Sequence, residues 1–277
     1  MNIGLIGCGK VGLTMCYFLK KDHAITGIYD SRKARERAGL RILRLRNNSG
    51  LDAIIKKSDT ILIATPDDKI ARIGSKLVPR LIKPTLICHF SGLLPAEIVP
   101  KHRYAWRVSL HPFATFPCLA IPPREKKYLM LCQGDRKARE LTNSIFKKPY
   151  FTIRHIPRRH KVWYHLLGVF SSNLPIGLMK ATEDIARLSR INPRSARKMV
   201  IGLTKQTLNN VADLGLDNAL SGPVRRGDIK TIEQHIKILR SNKPLLRAYY
   251  ALSAYLVELS EKTDQRQILK KILQKPD

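Results

Sequence analysis

Three glycines near the start carry the strongest chemical signal. Gly7, Gly9 and Gly12 stand in the order GxGxxG, directly after the apolar run Asn2–Ile6 and directly before a helical pattern from Val11 to Lys20. In such a loop the first glycine makes a tight turn. The second lets backbone approach a pyrophosphate, and the third lets the helix pack on the strand. The bare N–H groups and dipole of the helix N-terminus favour anions there. Gly7, Cys8, Gly9, Lys10, Val11 and Gly12 are therefore expected to line a dinucleotide. Asp30 ends the next apolar run, eighteen residues beyond Gly12. A carboxylate at that point accepts from ribose hydroxyls and favours NAD. Ser31, Arg32 and Lys33 follow at once, and a hydroxyl beside cations suits a 2′-phosphate. The bland alternative for Arg32 and Lys33 is an exposed helix start.

Other polar groups gather where later apolar runs end. Thr65 and Pro66 close one run and are expected beside the middle of the cofactor, with Asp67 as a cap for the next helix. Ser91 and Gly92 follow His89 and Phe90. A small hydroxyl and free backbone N–H groups form a natural cradle for an oxyanion. His89 reads as a structural histidine at a strand end. His111 sits in a similar place and either faces a cleft or caps a helix. On an ideal helix Ser172 lies within about 20° of His165, while Asn173 is about 80° away and roughly 12 Å further along. Arg226 follows Ser221-Gly222-Pro223 and has the geometry to grip a carboxylate with two hydrogen bonds. Asp228 reads as the N-cap of a helix opening at Ile229, and His235 as buried or interfacial.

The elements that must hold these groups divide the chain in two. Strands are expected at Ile3–Ile6, Ile25–Tyr29, Thr60–Ala64, Thr85–Cys88, Ala105–Leu110 and Tyr128–Cys132. Helical patterns lie between them at Ser31–Leu40, Leu51–Lys57, Ile70–Leu81 and Pro95–Val99, and Arg136–Phe146 follows the last strand. Strands alternating with crossover helices predict an α/β Rossmann domain with a doubly wound, mostly parallel sheet over residues 1–153. A basic connector from Lys148 to His160, marked by Pro149 and Pro157, leads into an all-α domain over residues 154–277. Its helices are expected at Lys161–Arg190, broken or bent near Pro175, then Pro193–Leu214, Ile229–Leu239, Pro244–Lys262 and Gln265–Gln274. A cleft at such a junction is where substrate is expected to bind.

Bulk properties narrow the class. A length of 277 residues is enough for two domains with real cores. No stretch reaches about eighteen apolar residues in a row, so no membrane span is expected. The N-terminus has no signal-peptide pattern. Cys8, Cys16, Cys88, Cys118 and Cys132 are scattered without a CxxC pair, which reads as reduced thiols in a cytoplasmic protein. Cys8 reads as a small filler. No metal-ligand spacing is present, so no metal is expected. The net charge of +30 attracts polyanions. Its cations are spread over the whole chain without interleaved aromatics or a known nucleic-acid motif. A solvated basic surface is the reading, with nucleic acid not expected as a partner.

Six motifs then run in order along nearly the whole chain: GCGKVG at Gly7, ATPDDKI at Ala64, HFSGLLP at His89, SLHPFATF at Ser109, YHLLGVFSSN at Tyr164 and SGPVRRGDIKTIEQH at Ser221. In this order they resemble a family of Rossmann-type oxidoreductases with a helical C-terminal domain, long catalogued as of unknown function. More distantly the chain is similar to the superfamily of 6-phosphogluconate dehydrogenase, pyrroline-5-carboxylate reductase and ketopantoate reductase. The resemblance implies NADP, as NADPH, with NAD less favoured and Arg32 as the phosphate clamp. It implies that the turn at Ser91 and Gly92 lies near the nicotinamide or a substrate carboxylate. Related reductases use a lysine early in the first long helix of the second domain as proton donor. Counted back from Asn173, that place is held here by His165, with Lys161 in reserve. Asn173 and Ser172 would orient substrate, His111 would face it, and Arg226 would hold its carboxylate. The implied activity is reduction of a small oxo-acid, ketopantoate (2-dehydropantoate) in pantothenate synthesis, by a homodimer. Two alternatives stay open: an imine reductase of the pyrroline-5-carboxylate type, and a non-catalytic dinucleotide sensor with a basic nucleic-acid-binding surface.

Overall fold

The computed structural model describes residues 1–46, 50–117, 127–259 and 263–273. Cys118, and the expected helix ends Lys262 and Gln274, lie outside the described residues. The chain forms two compact units, Met1–Asn173 and Leu174–Asp277. The first takes in residues 154–173, which the boundary at residue 153 assigned to the helical half.

In the first unit a single sheet has the order β2-β1-β3-β4-β5-β6-β7. Its strands are β1 (Asn2–Ile6), β2 (Ala24–Tyr29), β3 (Thr60–Ile63), β4 (Thr85–His89), β5 (Ala105–Pro112), β6 (Tyr128–Gly134) and β7 (Phe151–His155). Strands β1 to β5 are parallel; β6 runs antiparallel to β5, and β7 pairs parallel with β6. The crossovers are α1 (Lys10–Leu19), α2 (Lys33–Leu43), α3 (Gly50–Lys57), α4 (Asp67–Leu77) and α5 (Arg136–Ile145). Leu62, Leu86 and Cys88 enter one core with Leu13, Phe18, Leu43 and Ile145. Their neighbours Ile61, Ile63 and Ile87 enter another with Ile55, Ile70 and Leu77. That alternation is the period of two of strands buried on both faces, so the doubly wound, mostly parallel sheet is what forms. The chain leaves β1 for β2 on one side and returns to β3 on the other. Such a switch opens a crevice at the carboxyl ends of the strands.

Three local expectations change. A seventh strand, β7, occupies the stretch read as a connector, because Phe151 alone of its five residues is buried and the rest resemble a solvated basic loop. Pro95–Val99 forms only a three-residue 3₁₀ turn, Ala96–Ile98. Helix α4 starts at Asp67 and stops at Leu77, ahead of Pro79. The long pattern after Lys161 breaks ahead of Pro175, as its sequence predicts, into α6 (Lys161–Gly168), a π-helical turn (Val169–Asn173) and α7 (Leu174–Leu188). Pro175 has no N–H to give the Ser171 carbonyl and its ring crowds that carbonyl, and the wider turn accommodates both.

The second unit holds α7, α8 (Pro193–Ala219), α9 (Pro223–Arg226), α10 (Ile229–Leu239), α11 (Lys243–Val257) and α12 (Thr263–Leu273). Helix α8 kinks at Gly215, where φ is 77°, one residue past the expected end at Leu214. Val224, Ile232, Ile236, Leu246, Val257, Leu269 and Leu273 form its core. Among the described residues no helix is long and apolar enough to cross a membrane.

Candidate functional site

The glycine loop is built by close approach. Gly7 has a φ of 99°, and a Cβ there would stand 2.6 Å from the Ala64 carbonyl oxygen. A Cβ at Gly12 would stand 2.7 Å from the Ala64 Cβ and 2.7 Å from the Gly7 oxygen. Both positions demand glycine for the fold itself. Gly9 differs. It is half-buried with extended backbone, and the nearest atom to an added Cβ is 3.8 Å away. Nothing among the described residues requires glycine there. Gly9 is also the N-cap of α1, which has no side-chain cap and no acidic residue in its first turn. A bare helix start beside an unfilled glycine surface is what a diphosphate needs, and the loop fits a dinucleotide. The Thr65 hydroxyl nearby is buried and has no hydrogen-bond partner among the described residues.

The remaining loop residues take distinct places. Cys8 donates its N–H to Asp30 Oδ2 at 2.8 Å. Its thiol is pushed up to about 12, chiefly by burial and then by Asp30, which removes it as a nucleophile. Lys10 donates from Nζ to the Pro117 carbonyl at 2.7 Å. Val11 packs against the core. Asp30, only 8% exposed, accepts a second N–H, from Arg32, on Oδ1 at 2.8 Å. Its carboxylate thus ties the phosphate loop to the β2–α2 turn. Ser31 and Arg32 are exposed, while Lys33 pairs with the buried Glu36 at 3.1 Å. One of the two cations read beside the ribose is therefore engaged within the protein.

Asp67 does not cap α4. Pro66 is the N-cap residue, and Asp67 Oδ2 instead accepts the Ser91 hydroxyl at 2.6 Å. Ser91 Oγ also accepts from the N–H of Leu93 at 3.1 Å and of Leu94 at 2.8 Å. One donor and two lone pairs are then used, so this hydroxyl builds the turn. His89 is buried, accepts the Ser91 N–H on Nδ1, and donates from Nε2 to the Pro95 carbonyl at 3.2 Å. Burial lowers it to about 4, with Lys161 adding to the shift, so it is a neutral structural histidine.

Gly92 lies between two imidazoles. A Cβ there would stand 2.5 Å from His165 Nδ1 and 3.0 Å from His111 Nε2. The two rings are 5.9 Å apart at 75°. His111 donates from Nδ1 to the Phe90 carbonyl at 3.1 Å and so caps no helix. That bond leaves Nε2 as an acceptor. Burial lowers its basicity first, and Lys161 and His165 add to the effect, while the Phe90 bond opposes it. Beneath the turn, Lys161 is 2% exposed and donates to the Ser91 carbonyl at 3.1 Å and to Ser109 Oγ at 2.7 Å. The bond between Lys161 and Ser109 and the burial of Lys161 escape sequence reading, because Lys161 directly follows Arg158, Arg159 and His160 in a run that reads as solvated.

The outer candidates are placed more loosely. Ser172 donates to the Gly168 carbonyl at 2.7 Å, and Asn173 is exposed in the π-helical turn. The ideal-helix angles expected between them and His165 do not hold across that turn. Arg226 ends α9 in the second unit. Asp228 caps α10 through Thr231, as read from sequence, and His235 meets the Tyr249 hydroxyl at 3.1 Å. Among the described residues no group of three or more His, Cys, Asp or Glu could hold a metal.

The first unit is thus a Rossmann-like domain with a phosphate-type loop and a histidine pair at its strand ends. Residues 1–112 match the model of the Rossmann-like domain, and residues 128–256 match that of a domain of unknown function (DUF2520). No curated protein matches the chain. Among solved structures, it is similar to a candidate NADP oxidoreductase from Bacteroides fragilis, at 17% identity and a TM-score of 0.77 over 93% of this chain and 98% of that one. Protein TM1727 from Thermotoga maritima aligns at 21% identity and 0.69, over 94% and 98%. Plasmodium falciparum pyrroline carboxylate reductase with NADP bound aligns at 14% and 0.60, over 98% of each chain. At these identities the likeness is one of fold.

The two kinds of loop glycine separate experimentally. Gly9→Ala should unfold within about 1 kcal/mol of the parent in urea yet bind dinucleotide at least about tenfold more weakly by calorimetry. Gly12→Ala should lose about 1–3 kcal/mol of stability. Equal effects on stability would remove the argument for a ligand at Gly9.

Proposed function

We propose that the chain is an NADPH-dependent reductase of a small oxo-acid, with ketopantoate as the first substrate to test. One observation carries the reading: His111 and His165 flank Gly92 at the carboxyl end of parallel strands, in the same compact unit as the glycine loop. The oxidoreductases among the structural relatives support it, as does the NADP bound to the Plasmodium reductase. Gly7, Gly9, Gly12 and the start of α1 would hold the diphosphate, Thr65 and Pro66 would border the middle of the cofactor, and Ser31 with Arg32 would hold the 2′-phosphate. Reduced nicotinamide supplies hydride to the carbonyl carbon of the substrate.

The chain's own residues do the rest. As the carbonyl π pair moves onto oxygen, protonated His165 delivers a proton from Nδ1 and is left neutral, and the product is an alcohol. His111, kept neutral by burial, offers Nε2 as an acceptor beside it. Ser91 serves through the turn it builds, and the Asn173 amide orients the substrate. A homodimer belongs to the same reading. Met199 and Leu203 on α8 are 68% and 66% exposed, and apolar side chains so displayed on a long helix call for a covering surface; a second copy is the proposed one.

His165→Ala should lower kcat by about 100-fold or more while NADPH affinity changes little. Near-parental turnover would dismiss His165. Reduction of a cyclic imine but not of ketopantoate would select the imine reading. No cofactor oxidation with either, together with salt-dependent nucleic-acid binding, would select the sensor.

Arg32→Ala should raise the KM for NADPH at least about tenfold more than that for NADH. Light scattering should give about twice the chain mass for the parent, and about one chain mass for Met199→Glu/Leu203→Glu.

A further inference from the structure

The geometry points to Lys161 as a positioning residue that works through the Ser91–Gly92 peptide, aiming the Gly92 N–H at the oxygen of a bound substrate. This rests on the reductase reading above and assigns a residue role that the reading leaves open. Lys161 is too deeply buried to touch a ligand itself. Both of its hydrogen bonds go inward, to the Ser91 carbonyl and to Ser109 Oγ, and Ser109 Oγ adds its own donation to the same carbonyl at 3.2 Å. That carbonyl is therefore clamped by a cation and a hydroxyl. The only cis peptide among the described residues is Lys148–Pro149, so the Ser91–Gly92 peptide is trans. In a trans peptide the C=O and the N–H point in opposite directions. With the Ser91 oxygen held toward Lys161, the Gly92 N–H must face the far side.

That N–H has no acceptor among the described residues, although Gly92 is buried. Buried backbone N–H groups are almost always paired, so an orphan beside two imidazoles is a donor kept for a ligand. A cation on the carbonyl also polarises the peptide and strengthens the N–H as a donor. The arrangement explains why a lysine sits beneath a turn whose serine hydroxyl is already saturated. It separates two jobs: His165 moves the proton, and Lys161 fixes the dipole that steadies the developing oxyanion.

The amide itself reports on this without substrate. Labelling serine carbonyls with ¹³C and glycine nitrogens with ¹⁵N selects three Ser–Gly amides, those of Gly50, Gly92 and Gly222. Burial lowers Lys161 to about 8, against the pull of Asp67, Cys132 and Glu97. Burial moves three titratable neighbours away from that window: Cys132 up to about 12, His89 down to about 4 and His111 below its ordinary 6.5. In the full-length protein one of the three amides should titrate with a midpoint near 8, and Lys161→Met should abolish that step while lowering kcat about 100-fold or more at unchanged NADPH affinity. Ser109→Ala, a milder change, should shift the midpoint and lower kcat about five- to tenfold. If no Ser–Gly amide titrates near 8, if the step survives Lys161→Met, or if Lys161→Met turns over at the parental rate, the inference is overturned. If Lys161→Met does not fold, Ser109→Ala decides: an unmoved midpoint overturns the inference and a moved one upholds it. An amide that behaves as expected in a protein that reduces neither an oxo-acid nor an imine leaves the clamp standing and removes only the reductase reading.

Discussion

The backbone after β1 and the backbone after β3 meet at Ala64 at a separation that excludes any Cβ from the β1 side. Gly7 and Gly12 both lie against this one residue, one against its carbonyl and one against its methyl. The first glycine also needs the left-handed region of φ, which other residues occupy at a cost. This contact fixes where α1 begins and which way its bare N–H groups point. It also brings Thr65 alongside the loop. Relax it, and the helix start, the crevice and the register of β1 on β3 would all shift together.

The other half of the first unit is held by polar groups working inside it. Arg107 clasps Asp135 with two parallel hydrogen bonds at 3.1 Å each, where β5 meets the antiparallel β6. Gln133 reaches from β6 to the Ala96 N–H at 2.7 Å and to the Glu97 carboxylate at 3.2 Å. Ser91 and His89 then shape the turn above. A buried lysine without a carboxylate in contact is an uncommon choice, since desolvation opposes its charge. Here a carbonyl and a hydroxyl stand in for water.

Sequence made the first half of the molecule plain and the chemistry of the second half partly so. The glycine loop was legible because its spacing and the apolar runs around it are local. The two-faced burial of β3 and β4 was legible from uninterrupted Ile and Leu. The Asp228 cap followed from residue type and position. Strand β7 was hidden, since an edge strand with one buried residue between two prolines carries almost no periodic signal. The meeting of His111 with His165 joins β5 to α6, and no local pattern encodes that. Asp67 was misread for a related reason. A carboxylate at a helix start usually serves its own helix, and only the tertiary fold shows that it serves Ser91.

Asp30 carries a consequence for anyone wishing to redesign the chain. Reversal of nucleotide preference is commonly sought by replacing the acidic residue at the end of the second strand. In this molecule that carboxylate is a rivet between two loops, with one oxygen on the Cys8 amide and the other on the Arg32 amide. Replacing it would loosen the seat of the diphosphate along with whatever it does to the ribose. Tuning has more freedom one and two residues later, at Ser31 and Arg32, whose side chains face solvent.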